Sequence, residues 1–250
     1  MNRWWNTRRF DLLELFFLVS FTIVATSSYC FWRAGLVPEA FWLRKTYGSS
    51  HYSRDVEELI IRDFFADRRD GFFVDVGAGD YRLNSNTFYL EERLRWQGIA
   101  IDPRHELEAN YRKYRPRTRF FALFVSEVSG DRARVSVSDR VPERSSTSRE
   151  SAAVQGGNII DITVPTVTLT DLLDQQGVPQ IDLLSIDVEL SEPNVLAGFD
   201  IQRFKPRLVC IEAHPEVRQQ ILDYFARRGY VLLGRYLRAD TLNLYFAPLG

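Results

Sequence analysis

The chain of 250 residues is poor in the side chains that build metal and disulfide frameworks, with 2 cysteines and 3 histidines. Cys30 lies in an apolar N-terminal run and Cys210 in an apolar strand candidate, without the CxxC spacing of a zinc site or redox pair, so both are expected as buried free thiols. His51 falls in a linker, His105 at a helix edge and His214 just past a strand, and no metal site is expected from so scattered a set. An excess of one charge is missing too. Against 33 acidic residues stand 32 basic ones, a net charge of −1, so no bulk field draws the chain to nucleic acid, which is not expected as a partner. Internal repeats are absent. What remains is an ordinary globular composition, 45% hydrophobic and 26% charged, with a length that suits one large domain or two small ones.

One long uncharged run is present, at residues 15–32, preceded by Arg3, Arg8 and Arg9, followed by Arg33, and edged by Trp4, Trp5, Trp32 and Trp42. It is near the minimum length that crosses a bilayer, and tryptophan prefers the membrane interface. A single-pass membrane anchor is therefore expected over about 12–32, within a segment 1–50 that also holds a basic flank and a linker. A cleaved signal peptide and an interfacial helix are the competing readings. Basic residues are nearly balanced across the run, so the charge rule leaves the orientation open. A cofactor made in the cytosol would favour a cytoplasmic body.

Residues 51–250 read as one α/β domain. Val56, Leu59, Ile60, Phe64 and Phe65 share a helical face after Ser53, a candidate N-cap. Strands are expected at 71–76, 98–101, 119–125, 181–186 and 207–211, with helices between them and a last helix at 215–228 closed by Gly229. Alternating segments at 134–138 and 159–167 flank a stretch rich in Ser, Arg and Glu and read as a hairpin-like insertion. Segments 230–235 and 243–246, with no helix between them, suggest an antiparallel edge hairpin on an otherwise parallel sheet.

Four apolar strands end in carboxylates, at Asp75, Asp102, Asp187 and Glu212. In an open α/β sheet such ends line one crevice. The run FFVDVGAGD at 72–80 closes on an acid and a Gly-x-Gly turn, which lets backbone approach a ligand closely. Asp102 follows about 25 residues later, where a ribose diol would lie. The turn is expected to open a helix whose free amides face that ligand. Arg82 stands where a dinucleotide fingerprint has its third glycine, which argues against a pyrophosphate and so against NAD or FAD. A nucleoside without pyrophosphate, such as S-adenosylmethionine, fits better. His214 is the best general base by chemistry, with a cap on the following helix as its other reading.

Three segments carry a resemblance: FFVDVGAGDYRLNSNTFYLEE at 72–92, IDLLSIDVE at 181–189 with Glu192 after it, and RLVCIEAHP at 207–215. On these the chain resembles the FkbM family of S-adenosylmethionine-dependent methyltransferases over about 71–248. The resemblance implies a Rossmann-like class I methyltransferase fold, a mostly parallel seven-stranded sheet whose last strand runs antiparallel, here preceded by an N-terminal membrane helix. It implies Asp75, Gly77 and Gly79 at the methionine part of the cofactor, Asp102 at the ribose hydroxyls, Ser126 near the adenine, and Asp187 at the methionine amine or the acceptor. Asp187, Glu189 and His214 form the expected catalytic set, because methyl transfer to oxygen needs a hydroxyl aligned and relieved of its proton. By analogy the acceptor is a hydroxyl on a glycan, a lipid-linked molecule or a small molecule. The chain departs from the family's Asp-Val-Glu-Gly-Ala-Glu at Asp187-Val188-Glu189-Leu190-Ser191-Glu192-Pro193. Leu190 in place of glycine makes a left-handed turn costly, and Pro193 is expected to start the next helix. A membrane-tethered scaffold that has lost turnover is the alternative function.

Overall fold

The computed structural model describes residues 39–138 and 158–250. The expected anchor at about 12–32, Cys30 and the stretch 141–157 lie outside them. Among the described residues no helix is long and apolar enough to cross a membrane.

Two helices, α1 (Glu39–Tyr47) and α2 (Glu57–Phe65), precede β1 (Phe72–Val76), α3 (Phe88–Leu94), β2 (Gln97–Ile101), α4 (Glu108–Tyr114) and β3 (Thr118–Phe121). Then come β4 (Phe124–Val125), β5 (Arg132–Ser138), β6 (Ile159–Val167), α5 (Leu169–Gln175) and β7 (Leu183–Ile186). The chain continues through α6 (Glu192–Ala197), α7 (Ile201–Phe204), β8 (Leu208–Glu212), α8 (Pro215–Ala226), β9 (Tyr230–Leu232) and β10 (Asn243–Pro248).

Seven strands form the main sheet in the order β3-β2-β1-β7-β8-β10-β9. Neighbours from β3 to β8 pair in parallel, while β10 runs antiparallel to both β8 and β9. This is the Rossmann-like class I methyltransferase fold. The closing pair is not an edge hairpin in the simple sense, because β10 enters between β8 and β9 and leaves β9 outermost. Burial explains the choice. Asn243 to Phe246 are buried, Phe246 stacks on Phe225 of α8 with ring centroids 4.0 Å apart, and Val231 of β9 is the more exposed.

Strand pleating sorts the core into two layers. Val74, Leu184, Val209 and Phe246 pack with α5 to α8, and their neighbours Phe73, Leu183, Leu208 and Tyr245 pack with α1 to α3. Burial of each large apolar side chain contributes about 1.5–3 kcal/mol before the entropy of ordering is subtracted. Cys210 is a buried free thiol in the second layer, as expected.

The apolar run 119–125 is not one strand. Leu123 N–H closes a turn on Phe121 O at 3.1 Å, and the chain leaves the main sheet to form β4 in a three-stranded sheet of order β4-β6-β5. There β5 and β6 pair antiparallel, the expected hairpin. Helix α2 begins at Glu57, later than a cap at Ser53 would give, although Ser53 Oγ still accepts from Glu58 N–H at 3.0 Å. Pro193 lies in the first turn of α6, as expected.

Candidate active site

Register places the site. Val76 pairs with Ile101 and Ile186, and Ile186 with Ile211. Gly77, Asp102, Asp187 and Glu212 therefore follow at one level on the C-terminal edge of the sheet, where open α/β folds bind ligands. Asp75 sits two residues lower, opposite Ala100 and Ser185. Its Oδ2 accepts from Thr87 Oγ1 at 2.7 Å, and Thr87 Oγ1 accepts in turn from Arg115. Asp75, expected at the methionine part, lines neither cleft described below and ties β1 to the segment before α3. Burial pushes its pKa up.

Gly77 and Gly79 have φ of 79° and 61°. A Cβ at Gly77 would come within 1.7 Å of Asp187 O, so only glycine lets the exits of β1 and β7 meet. The amides of this turn are spent inside the protein. Gly77 N–H and Ala78 N–H donate to Ile101 O at 2.9 and 3.1 Å, and Gly79 N–H donates to Asp102 Oδ2 at 3.0 Å. The helix expected to open at the turn starts only at Phe88, where Ser85 Oγ accepts from Thr87 N–H and Phe88 N–H. Free amides for a ligand are therefore not supplied by Gly77, Ala78 or Gly79, which strengthens the case against a pyrophosphate. Arg82 is exposed, with its guanidinium 5.5 Å from the Tyr52 ring, and takes no part in helix–strand packing.

Asp102 is already full. Its Oδ1 accepts from Arg104 N–H at 3.0 Å and Nε at 2.9 Å, and its Oδ2 from Gly79 N–H and from Arg104 Nη2 at 3.1 Å. Those four bonds use the roughly four acceptor positions a carboxylate offers. Both residues are buried. Arg104 went unread in the sequence, though its place two residues after the acid, across Pro103, was the available signal.

Two clefts open at this edge and share Gly77, Asp187 and Glu189. The first is a narrow slot of about 40 Å³, with Leu123, Phe124, Val125 and Val135 as an apolar wall and Asp102 beside it. Ser126, expected near the adenine, is not on that wall. Once β4 has turned into the small sheet, Ser126 N–H donates to Val167 O at 2.9 Å, and the three residues before it face the slot. The second cleft, about 370 Å³, is polar and adds Gly79, Glu57, Glu212, Arg54 and Asn243 to the shared residues. Glu57 arrives from α2 and Asn243 from β10, opposite Glu212 in register. No motif connects either to the site; a polar residue heading an apolar strand was the one trace of Asn243.

Acids dominate the junction. Asp187 is exposed to the clefts, and desolvation by the surrounding protein, followed by the Glu189 charge, pushes its pKa up to about 6. Glu212 is 4% exposed, and burial, then Asp187 and Glu189, push it up to about 9. Two like charges so close disfavour ionising together, which is why Asp187 raises Glu212. Buried Glu192 accepts from Val188 N–H at 3.1 Å and is pushed up to about 7, mainly by burial. His214 occupies the N-cap position of α8 without capping it. Its Nε2 lies 3.3 Å from Glu212 Oε2 instead.

Glu189 and Leu190 have φ of 51° and 75°. The turn keeps the left-handed backbone that glycine would adopt freely and carries a cost of about 1–2 kcal/mol at Leu190. Bonds on either side hold it there: Asp187 N–H to Val76 O at 2.9 Å, and Val188 N–H to Glu192.

This arrangement fits S-adenosylmethionine. The acids at the junction suit a cationic group such as a sulfonium or an ammonium. Among curated proteins, AMB antimetabolite synthetase AmbE from Pseudomonas aeruginosa is 24% identical over 223 residues, covering 75% of this chain and 10% of that protein. Solved structures similar to this one include precorrin-6y C5,15-methyltransferase from Geobacter metallireducens, with a TM-score of 0.43 and 10% identity over 74% of this chain and 76% of that one. Another is a SAM-dependent methyltransferase from Geobacter sulfurreducens in complex with S-adenosyl-L-homocysteine, with a TM-score of 0.38 and 11% identity over 82% and 78% of the two chains. Residues 75–232, more than half of the sequence, match the Methyltransferase FkbM domain, and the chain belongs to the FkbM family of methyltransferases, whose cofactor is S-adenosylmethionine.

Proposed function

We propose that the chain is an O-methyltransferase acting on a hydroxyl of a glycan, a lipid-linked molecule or another small molecule. One observation carries the reading: an apolar slot and a polar cleft meet at Gly77, Asp187 and Glu189. When bound, S-adenosylmethionine supplies an electrophilic methyl group on a positively charged sulfur. The slot holds the adenosine, and the polar cleft takes the acceptor. At the junction Asp187 accepts a hydrogen bond from the acceptor hydroxyl, holds it in line with the methyl group and takes its proton. Glu57, Glu189 and Glu212 around the polar cleft favour a neutral or cationic acceptor over one that presents a phosphate to the reacting end.

The test is incubation of the purified full chain and of Asp187→Ala with methyl-labelled cofactor and a glycan and lipid extract of the host. A base-stable methyl ether formed by the wild type alone supports the reading; a base-labile ester or an N-methyl product would move the nucleophile from hydroxyl oxygen. A scaffold that has lost turnover draws on Asp102, whose acceptor positions Arg104 and Gly79 already fill. Calorimetric titration separates the two. The scaffold reading requires no heat with S-adenosylmethionine, and the enzyme reading requires binding that Asp102→Ala abolishes.

A further inference from the structure

Glu189, Glu212 and His214 bring one ligand atom each within 4.8 Å of one another. Bonds of about 2.0–2.2 Å from one cation bridge atoms up to about 4.4 Å apart, so the widest pair in the cluster closes by a few tenths of an ångström on binding. The 3.3 Å between His214 Nε2 and Glu212 Oε2 is the distance expected between two neighbouring ligands of a single ion. The three residues come from the exits of β7 and β8, which register puts side by side. No spacing in the sequence announces them, and a reading without metal is what the three scattered histidines suggest.

A second observation is independent of the clustering. Glu212 is 4% exposed, yet its Oε2 has no hydrogen-bond partner, because the contact with His214 lacks hydrogen-bond geometry. A buried carboxylate oxygen without a donor is costly, and nature satisfies such atoms with a donor or a cation. The unsatisfied oxygen belongs to a residue that lines the polar cleft, so it lies just behind the cleft wall.

We infer that Glu189, Glu212 and His214 form a divalent-cation site at the wall of the polar cleft, which Glu189 and Glu212 line. Two carboxylate oxygens and one imidazole nitrogen are a mixed oxygen and nitrogen set, which suits Mn²⁺, Co²⁺ or Zn²⁺ better than a cation that demands oxygen alone. Three protein ligands leave further positions for outside oxygens. In the methyl-transfer reading, on which this role rests, an acceptor hydroxyl takes one of those positions and is polarised there. The acceptor class narrows accordingly to molecules whose hydroxyl can approach a metal unhindered.

The experiment strips the full chain with a chelator, titrates it with Mn²⁺ and reads free Mn²⁺ by its paramagnetic resonance signal. S-adenosylhomocysteine binding is measured on the same samples by calorimetry. About one Mn²⁺ per chain is expected, with affinity lowered at least about tenfold in both Glu212→Gln and His214→Gln and unchanged in Glu108→Gln, an exposed acid outside the cluster. His214 is partly exposed, so its variant keeps the test valid if Glu212→Gln fails to fold. A chain that binds S-adenosylhomocysteine but no Mn²⁺, or equal Mn²⁺ affinity in the wild type and both variants, overturns the site. Variant-sensitive Mn²⁺ binding without S-adenosylhomocysteine binding leaves the site standing and removes the methyl-transfer reading. Failure of both ligands in a chain with a folded near-ultraviolet circular dichroism spectrum removes both.

Discussion

The two sides of the cleft edge treat their acids in opposite ways. At the end of β2, Asp102 is saturated by Gly79 and Arg104. Past β7 and at the end of β8, Asp187, Glu192 and Glu212 crowd together, and Glu192 and Glu212 each leave one buried oxygen without a donor. The first acid is held in place by its own guanidinium and has no acceptor position left open. The second set is crowded and only partly satisfied, and burial and mutual charge push all three acids up. In the proposed function, this contrast divides binding from chemistry across a single glycine, Gly77.

Asp187→Asn should break the contrast most severely, lowering methyl transfer by about 10²–10⁴-fold while changing cofactor affinity far less. Single-turnover rates and calorimetry measure the two quantities; a turnover loss of the same size with intact cofactor affinity in Asp102→Ala would erase the distinction between the sides. Asp102→Ala strands the buried Arg104 guanidinium and should cost about 3–5 kcal/mol in denaturant unfolding. Most of that loss should return in the double variant Asp102→Ala with Arg104→Met, and failure to recover would mean the pair is not the source.

Glu192 gives a smaller effect, on the other side. Its folded pKa of about 7 exceeds the ordinary value of 4.5, through burial first and the Asp187 charge later, against His214. The folded chain therefore binds this proton more tightly than the unfolded chain does. The resulting stabilisation is complete below pH about 4.5 and is lost as pH rises through about 7, at most about 3 kcal/mol. Glu192→Gln should flatten that slope in pH-dependent unfolding, and an unaltered slope would assign it to other groups. The smallest expected change is Leu190→Gly, which removes the left-handed strain and should stabilise the fold by up to about 1 kcal/mol, after the added flexibility of the unfolded chain. A lower midpoint in thermal unfolding would show that Leu190 contributes packing worth more than its strain.

Most of the sheet was legible because β1, β2, β7 and β8 are continuous apolar runs closed by acids or glycine, the pattern of strands buried on both faces. The run at 119–125 misled for the same reason, since apolarity alone does not mark where Leu123 turns the chain into another sheet. Asp102, Asp187, Glu189 and both glycines could be placed at the edge from sequence. Asp75 and Ser126 could not, because a side chain's face depends on a register of one or two residues that composition does not encode. Glu57 and Asn243 depend on contacts between distant segments, and the same holds for the approach of Glu189 to His214, whereas Arg104 reaches an acid only two residues away.

The position of β10 has a consequence for how the protein is made. The strand is the last of the sheet in chain order, yet it fits between two that precede it and carries Asn243 to the wall facing Glu212. During synthesis β8 presents a bare edge until Asn243 to Pro248 has left the ribosome, so the polar cleft closes last. Until then the nascent domain is open to mispairing along β8, and chaperone capture at that edge would leave the rest of the sheet free to form.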